Sequence, residues 1–301
     1  MADAARVSGT SWGTFRPTPY VMLAPFLVLF CVFFVFPFLY SLYLSFQVQH
    51  GARLAFAGLQ NFAQVLQDES FWASVGRVAY FSLLNVVLTL VVALSLALLV
   101  DSPAIKSKSL FRLIYFLPYA VPGVVAAIMW GFLYSPQLDP LLGVLKVFPG
   151  GRELQPLAAR NVLYAIVNMG VWQWAGYNMT IYYANLTSIP LELYDAAKVD
   201  GYNEAQIAIL IKVPLLRPTI ILTAVLSIIG SLQLFNDPFV LSSLTTISPD
   251  FTPNLYIYQM AFAFSNFTYS ATLSVVLIVI TVVVSAFFMY ATSESRSERG
   301  R

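Results

Sequence analysis

Long apolar runs, broken by shorter polar stretches, set the pattern of the chain. Six of them reach the about 20 mostly apolar residues that a helix needs to cross a bilayer. They run from about Val21 to Phe46, Val75 to Val100, Leu110 to Tyr134, Asn161 to Leu186, Thr219 to Leu241 and Thr268 to Tyr290. The first exceeds the ~7–15 apolar residues of a signal-peptide core and is read as an uncleaved span. The pattern predicts an all-α polytopic membrane protein with six transmembrane helices. It divides the chain into a tail at 1–20, a first helix and loop at 21–74, a core at 75–290 and a second tail at 291–301. Within the core, the connection 187–218 differs from the others, being charged and periodic, and is read as helical.

Pro25, Pro37, Pro118, Pro122 and Pro238 fall inside the spans. In a soluble helix interior each would cost about 3 kcal/mol. In a bilayer, neighbouring helices and water satisfy the freed carbonyls. Two readings stand: breaks lining a transport pathway, or the ordinary abundance of proline in membrane helices.

Composition narrows the function. Charged residues make up 10% of the 301 residues, against about 25% in a soluble domain, too few to clothe a water-facing surface. Lys and Arg number 16 against 14 Asp and Glu, so the balance offers no reason to expect nucleic acid. The single cysteine, Cys31, excludes an internal disulfide, a CxxC pair and a cysteine zinc site. It reads as a packing residue. The lone His50 lacks the cluster a metal site needs. No Ser–His–Asp set and no paired carboxylates appear, so neither catalytic residues nor a metal site is expected, and the chain is read as non-enzymatic.

With six spans both termini share a side. That side would hold eleven Lys and Arg, including Arg16, Lys106, Lys108, Lys198, Lys212 and Arg217, against five on the other. The positive-inside rule then places both termini and the 187–218 connection in the cytoplasm.

Polar side chains concentrate in two spans. The fourth carries Asn168, Trp172, Gln173, Trp174, Tyr177 and Asn178; the fifth carries Ser227, Ser231, Gln233, Phe235, Asn236 and Asp237. At membrane depth such groups face protein or a water-filled cavity. Aromatic faces beside amides and a carboxylate suit a sugar, whose C–H faces pack on rings while its hydroxyls pair with Asn, Gln and Asp. The alternatives are hydrogen bonds between helices, worth about 0.6 kcal/mol each, and interfacial belt positions for Trp174 and Tyr177. For Asp237 a bond to the span's own backbone beside Pro238 is the rival reading.

The stretch Ile189–Pro218 predicts a helix–turn–helix. Pro190 suits the first turn and Glu192 the positive end of a helix. Leu191, Tyr194, Ala197 and Lys198 share a face at 3.6 periodicity. Gly201 breaks the helix, and Asn203 with Gln206 is spaced as a capping box for a second one. Pro214 and Pro218 are expected to end that helix before the fifth span. No G-x-x-x-x-G-K-[ST] phosphate loop occurs, so nucleotide hydrolysis would have to come from another polypeptide.

This stretch resembles the EAA loop of the membrane subunits of binding-protein-dependent ABC importers. The matching residues are Asp195-Ala196-Ala197, then Gly201, Ile211 and Pro214. Asp200-Gly201 and Pro214-Leu215-Leu216-Arg217-Pro218 are similar to its sugar-permease branch, as are Gly58–Trp72 and Phe111–Trp130. The resemblance implies the permease fold of a type I ABC importer in a bacterial inner membrane. It implies that Tyr194, Asp195, Ala196, Ala197, Lys198, Asp200, Gly201 and Pro214 dock an ATPase, and that ATP and Mg stay on that partner, so this chain holds no cofactor. The implied partners are a second permease subunit, two cytoplasmic ATPase subunits, an external solute-binding protein, membrane lipid and a sugar. It also implies that the sugar lies against Trp172–Met179 and Phe235–Asp237, which singles out Asn236, Asp237, Gln233, Phe235, Trp172, Tyr177 and Asn178.

Two departures stand out: Asp195 replaces the usual Glu, and Thr245-Thr246-Ile247-Ser248-Pro249 replaces a T-G-G-G-P run. The near absence of Lys and Arg from the spans favours a neutral sugar over a phosphorylated solute. A glycerol-phosphate or polyol importer remains an alternative reading, and a gradient-driven carrier is the rival from another class.

Overall fold

The computed structural model describes residues 18–51, 53–135 and 155–297. The two expected tails, apart from the residues next to the first and last helices, and most of the connection after Tyr134 lie outside them.

The first apolar rod consists of α1 (Thr18–Phe30), a π turn at Cys31–Val35 and α2 (Phe36–Ser45). Pro37 falls in the first turn of α2, immediately after the π turn that opens the hydrogen-bond ladder. Most of this rod is exposed, with Phe33, Phe34 and Phe36 each about two-thirds accessible. A short antiparallel hairpin follows, with β1 (Gln47–His50) paired to β2 (Arg53–Phe56) so that Gln47 faces Phe56. The apolar pattern, read as wholly helical, had no signal for it. The helix α3 (Gln60–Leu66) is tied back by Asn61, which donates to the Gln47 and Ser45 carbonyls at 2.7 and 3.2 Å.

The longest central helix is α4 (Glu69–Asp101), 33 residues, or about 50 Å at ~1.5 Å per residue. Asp68 caps it by accepting from the Phe71 amide at 3.0 Å. Its buried residues, among them Val78, Phe81, Ser82, Asn85, Thr89, Ala93 and Ala97, recur every three or four positions as one stripe. That stripe packs along α7 (Val162–Leu186). Between them in sequence, α5 (Lys108–Ala120) and α6 (Gly123–Leu133) meet at a 94° bend. The third span is therefore broken rather than continuous. Pro118 and Pro122 flank the break, and Gln173 of α7 donates to the freed Val121 carbonyl at 3.0 Å.

The charged connection forms α8 (Leu191–Val199) and α9 (Glu204–Ile207). The second helix does not stop at Pro214. It runs through a π turn at Ala208–Lys212 into α10 (Val213–Leu232), with Pro214 in the first turn and Pro218 inside. The π turn just ahead loosens the ladder at Leu210, four residues before Pro214, where that proline's ring would otherwise collide with a carbonyl. Chain unwinding at Gln233–Phe235 then separates α10 from α11 (Asn236–Leu241). Then come α12 (Pro253–Tyr258), whose Tyr258 packs on Phe235 and Phe239, a π turn at Gln259–Ala263 and α13 (Phe267–Ser297).

Four of these segments are long and apolar enough to cross a membrane, and five if the bent pair counts as one span. Helix α7 has 25 residues, about 37 Å at ~1.5 Å per residue, but Asn168, Gln173, Asn178 and Asn185 lower its hydrophobicity. The core is an all-α membrane bundle. One cluster joins Ile166, Val78, Leu241 and Leu255; a second joins Ala93, Met179, Tyr182 and Leu216. Some buried polar groups are paired between helices, as Tyr182 with Thr223 at 2.6 Å and Ser231 with Ser82 at 2.8 Å.

Candidate functional site

A cavity of about 400 Å³ opens where α4, α7, α10 and the unwound Gln233–Phe235 segment meet. Its position follows from two breaks. Residues after Leu232 leave the helix, so Gln233, Phe235, Asn236 and Asp237 are delivered to the wall instead of spiralling away. Across from them α7 contributes Gln173, Trp174, Tyr177 and Asn178.

Six of the seven expected solute residues therefore converge here: Gln233, Phe235, Asn236, Asp237, Tyr177 and Asn178. Trp172 does not line the cavity. It packs edge-on against Trp130 of α6 at 5.6 Å, one helical face away. Tyr177 is braced in an aromatic corner, stacked on Tyr119 at 4.6 Å with Trp174 edge-on at 5.9 Å. Trp174 and Tyr177 both line the cavity. Asn178 donates back to the Trp174 carbonyl at 3.0 Å, which fixes its amide plane.

Asp237 is the one carboxylate among the lining residues, and no Lys, Arg or His accompanies it. It stands in the first turn of α11, half-buried, and no described residue donates a hydrogen bond to its side chain. The rival role, a bond to the span's own backbone, is not formed. Among the lining residues that escaped the sequence reading are Asn85 and Thr89 of α4. Their signal was visible as two polar side chains four apart in an apolar run, which helical geometry places on one face.

The second candidate region is the α8–α9 connection. Glu192 in the first turn and Lys198 in the last complement the helix dipole. Gly201 has φ +87°, in the left-handed region that glycine alone enters without strain. There the Gly201 amide donates to the Lys198 carbonyl at 3.1 Å and the Tyr202 amide to that of Ala197 at 3.0 Å, a Schellman stop. Asn203 and Gln206 form the expected capping box, both bonds at 2.9 Å.

The face expected on α8 is divided by the structure. Tyr194 and Ala197 turn inward, while Leu191, Asp195, Ala196 and Lys198 stay exposed, with Leu193 and Val199 beside them. Asp200 and Gly201 are exposed at the turn, and Pro214 is exposed beyond it. Burial, and then the charge of Asp101, pushes the Tyr194 hydroxyl up to about 12. Two short helices joined by a glycine turn thus present an exposed apolar rim of Leu191, Leu193 and Val199 with the Asp195 carboxylate beside it.

Known transport permeases resemble this chain along most of its length. The chain is 31% identical over 287 residues to the lactose transport system permease protein LacF of Rhizobium radiobacter, covering 92% of this chain and 94% of that one. It is 31% identical over 276 residues to the sn-glycerol-3-phosphate transport system permease protein UgpA of Agrobacterium fabrum, covering 89% and 92%. A chain of a bacterial ABC transporter involved in the import of the acidic polysaccharide alginate shares the fold, with a TM-score of 0.77 at 20% identity over 92% of this chain and 95% of that one. The family described as binding-protein-dependent transport system inner membrane component matches residues 89–299, and the chain belongs to that family.

Proposed function

We propose that this subunit carries a neutral sugar through the cavity between α4, α7 and α10, driven by ATP hydrolysed on partner subunits docked at Leu191–Gly201. The observation that carries the reading is the cavity's chemistry. Aromatic faces, amides and hydroxyls line it, no described residue donates to its one carboxylate, and no Lys, Arg or His is among the described lining residues. Sugar hydroxyls would donate to Asp237 and exchange bonds with Asn236, Gln233 and Asn178, while the Tyr177 and Phe235 rings take the C–H faces. A phosphate or uronate would surrender its hydration with no positive partner, beside a like charge. The similarity to LacF supports a sugar cargo, whereas the similarity to UgpA leaves a phosphorylated one as the second reading.

The transport cycle follows from the two regions. Loaded binding protein meets the outer loops of this subunit and of a second permease subunit. Closure of two ATPase subunits pushes on the α8–α9 connection, and the cavity changes its open side. The loop and both termini then lie in the cytoplasm, as the distribution of Lys and Arg supports. The test is a mild-detergent purification of the tagged chain, followed by reconstitution with its co-purified partners. A phosphate-loop ATPase and a second permease chain should co-purify. A panel of a neutral disaccharide, a polyol, glycerol 3-phosphate and a uronate oligosaccharide should show ATP-dependent uptake of the disaccharide. Uptake of the phosphate ester alone would establish the second reading; uptake that ignores ATP and collapses with an uncoupler would establish a gradient-driven carrier.

A further inference from the structure

At the cytoplasmic end of the bundle, four elements meet on one buried ion pair. Lys212, in the π turn that leads into α10, places its Nζ 2.5 Å from Oδ2 of Asp101, the last residue of α4. The Lys212 side chain is 8% exposed and that of Asp101 14%. The same ammonium lies 4.9 Å from the centre of the Tyr194 ring, on the inner face of α8. Lys108, which opens α5, donates to the Asp101 backbone carbonyl at 2.8 Å. The Tyr194 hydroxyl is buried without a hydrogen-bond partner, so its ring contact with Lys212 is what seats it.

The pair sits where it commands the cavity. Asn85 lies about 24 Å along α4 from Asp101, and Ser227 about 22 Å from Lys212, at ~1.5 Å per residue. Both line the cavity wall. Two of its walls are therefore pinned together, at matching depth, at the spot where α8 rests. A buried pair of this kind is a poor source of stability, because desolvation offsets the Coulombic gain. What it offers over an apolar contact is a single fixed geometry.

We propose that Asp101 and Lys212 are positioning residues that join α8 to α4 and α10 as one moving body, so that force applied at Leu191–Gly201 reaches the cavity wall. The inference rests on the proposed docking of an ATPase at that loop. Without the link, α8 would still bind its partner but would slide relative to the walls.

The experiment compares the reconstituted complex of the unaltered chain with two double variants. Asp101→Leu/Lys212→Met removes both charges together, avoiding a stranded buried ion. Asp101→Lys/Lys212→Asp reverses the pair. The readouts are co-purification of the ATPase, ATP hydrolysis stimulated by loaded binding protein, and solute imported per ATP hydrolysed. The apolar variant should retain its ATPase and its hydrolysis while import per ATP falls about fivefold or more, and the reversed pair should recover most of that ratio. An unchanged ratio in the apolar variant overturns the proposal. So does loss of the ATPase from both variants, which would make the pair a folding element of the loop. If the unaltered chain brings down no ATPase at all, the docking reading itself fails, and the proposal with it.

Discussion

A methyl group built on Gly176 would stand 1.7 Å from the carbonyl oxygen of Tyr115, because α7 crosses α5 there backbone against backbone. The contact sits beside the aromatic corner of Tyr119, Trp174 and Tyr177. Gly176→Ala must push the two helices apart, since the obstacle is main chain and cannot swing away. The expected result is a melting midpoint in detergent lowered by several degrees, matching the about 1–3 kcal/mol of an overpacked core, and transport reduced with it. A variant that melts and transports like the unaltered chain would falsify the close crossing.

Asp237 invites the opposite kind of change. Asp237→Asn keeps the shape and removes a half-buried charge that no described protein group supports. Stability should hold or rise. Uptake of a neutral sugar into proteoliposomes should drop about tenfold, in line with the ~1.5–3 kcal/mol of a hydrogen bond to a charged group. Normal uptake would remove Asp237 from the solute path.

Gly201→Val addresses the turn. A β-branched residue at φ +87° pays at least about 1–2 kcal/mol for the left-handed backbone and unseats the Schellman stop. The ATPase should no longer co-purify, while the helical signal and melting of the spans stay as they were. Retention of the ATPase with normal transport would show that the turn geometry is dispensable.

The N-terminal end of α4 has its own staple. Asp68 caps α4 and also accepts from the Tyr256 hydroxyl at 2.9 Å and the Tyr269 hydroxyl at 2.6 Å. Burial, reinforced by Asp68, holds the Tyr256 hydroxyl well above the usual phenol range, so it stays a donor at any physiological pH. Asp68→Ala removes a cap and strands two hydroxyls, and should cost about 2 kcal/mol or more. A midpoint lowered by about 4–8 °C is the expected reading; an unshifted midpoint would mean that water replaces the carboxylate without loss.

Most of the architecture was legible in the sequence because its causes are local. Apolar length marks a span, and Val162–Leu186 and Phe267–Ser297 begin within a residue of where the pattern starts them. Gly201 and the Asn203–Gln206 box were readable for the same reason: each acts over six residues or fewer. The cluster Gln233, Phe235, Asn236 and Asp237 was legible as polarity at membrane depth, where isolation is costly.

Three features were decided only in three dimensions. The 94° bend between α5 and α6 depends on Gln173, about fifty residues away, supplying a donor to the freed Val121 carbonyl. Pro214 and Pro218 looked like terminators, yet a neighbouring π turn let the helix run on, because a proline's cost depends on whether its ladder can open. Trp172 looked equivalent to Tyr177, but five residues along a helix separate two faces, and only packing shows which one meets a cavity and which one meets Trp130. By itself the sequence determined the spans, the loop and the polar content of the cavity wall, since these follow from backbone hydrogen bonding in lipid and from short-range turns. Which polar groups share a cavity, and which charges share a buried pair as Asp101 and Lys212 do, was settled by tertiary structure, because each depends on how helices distant in sequence cross.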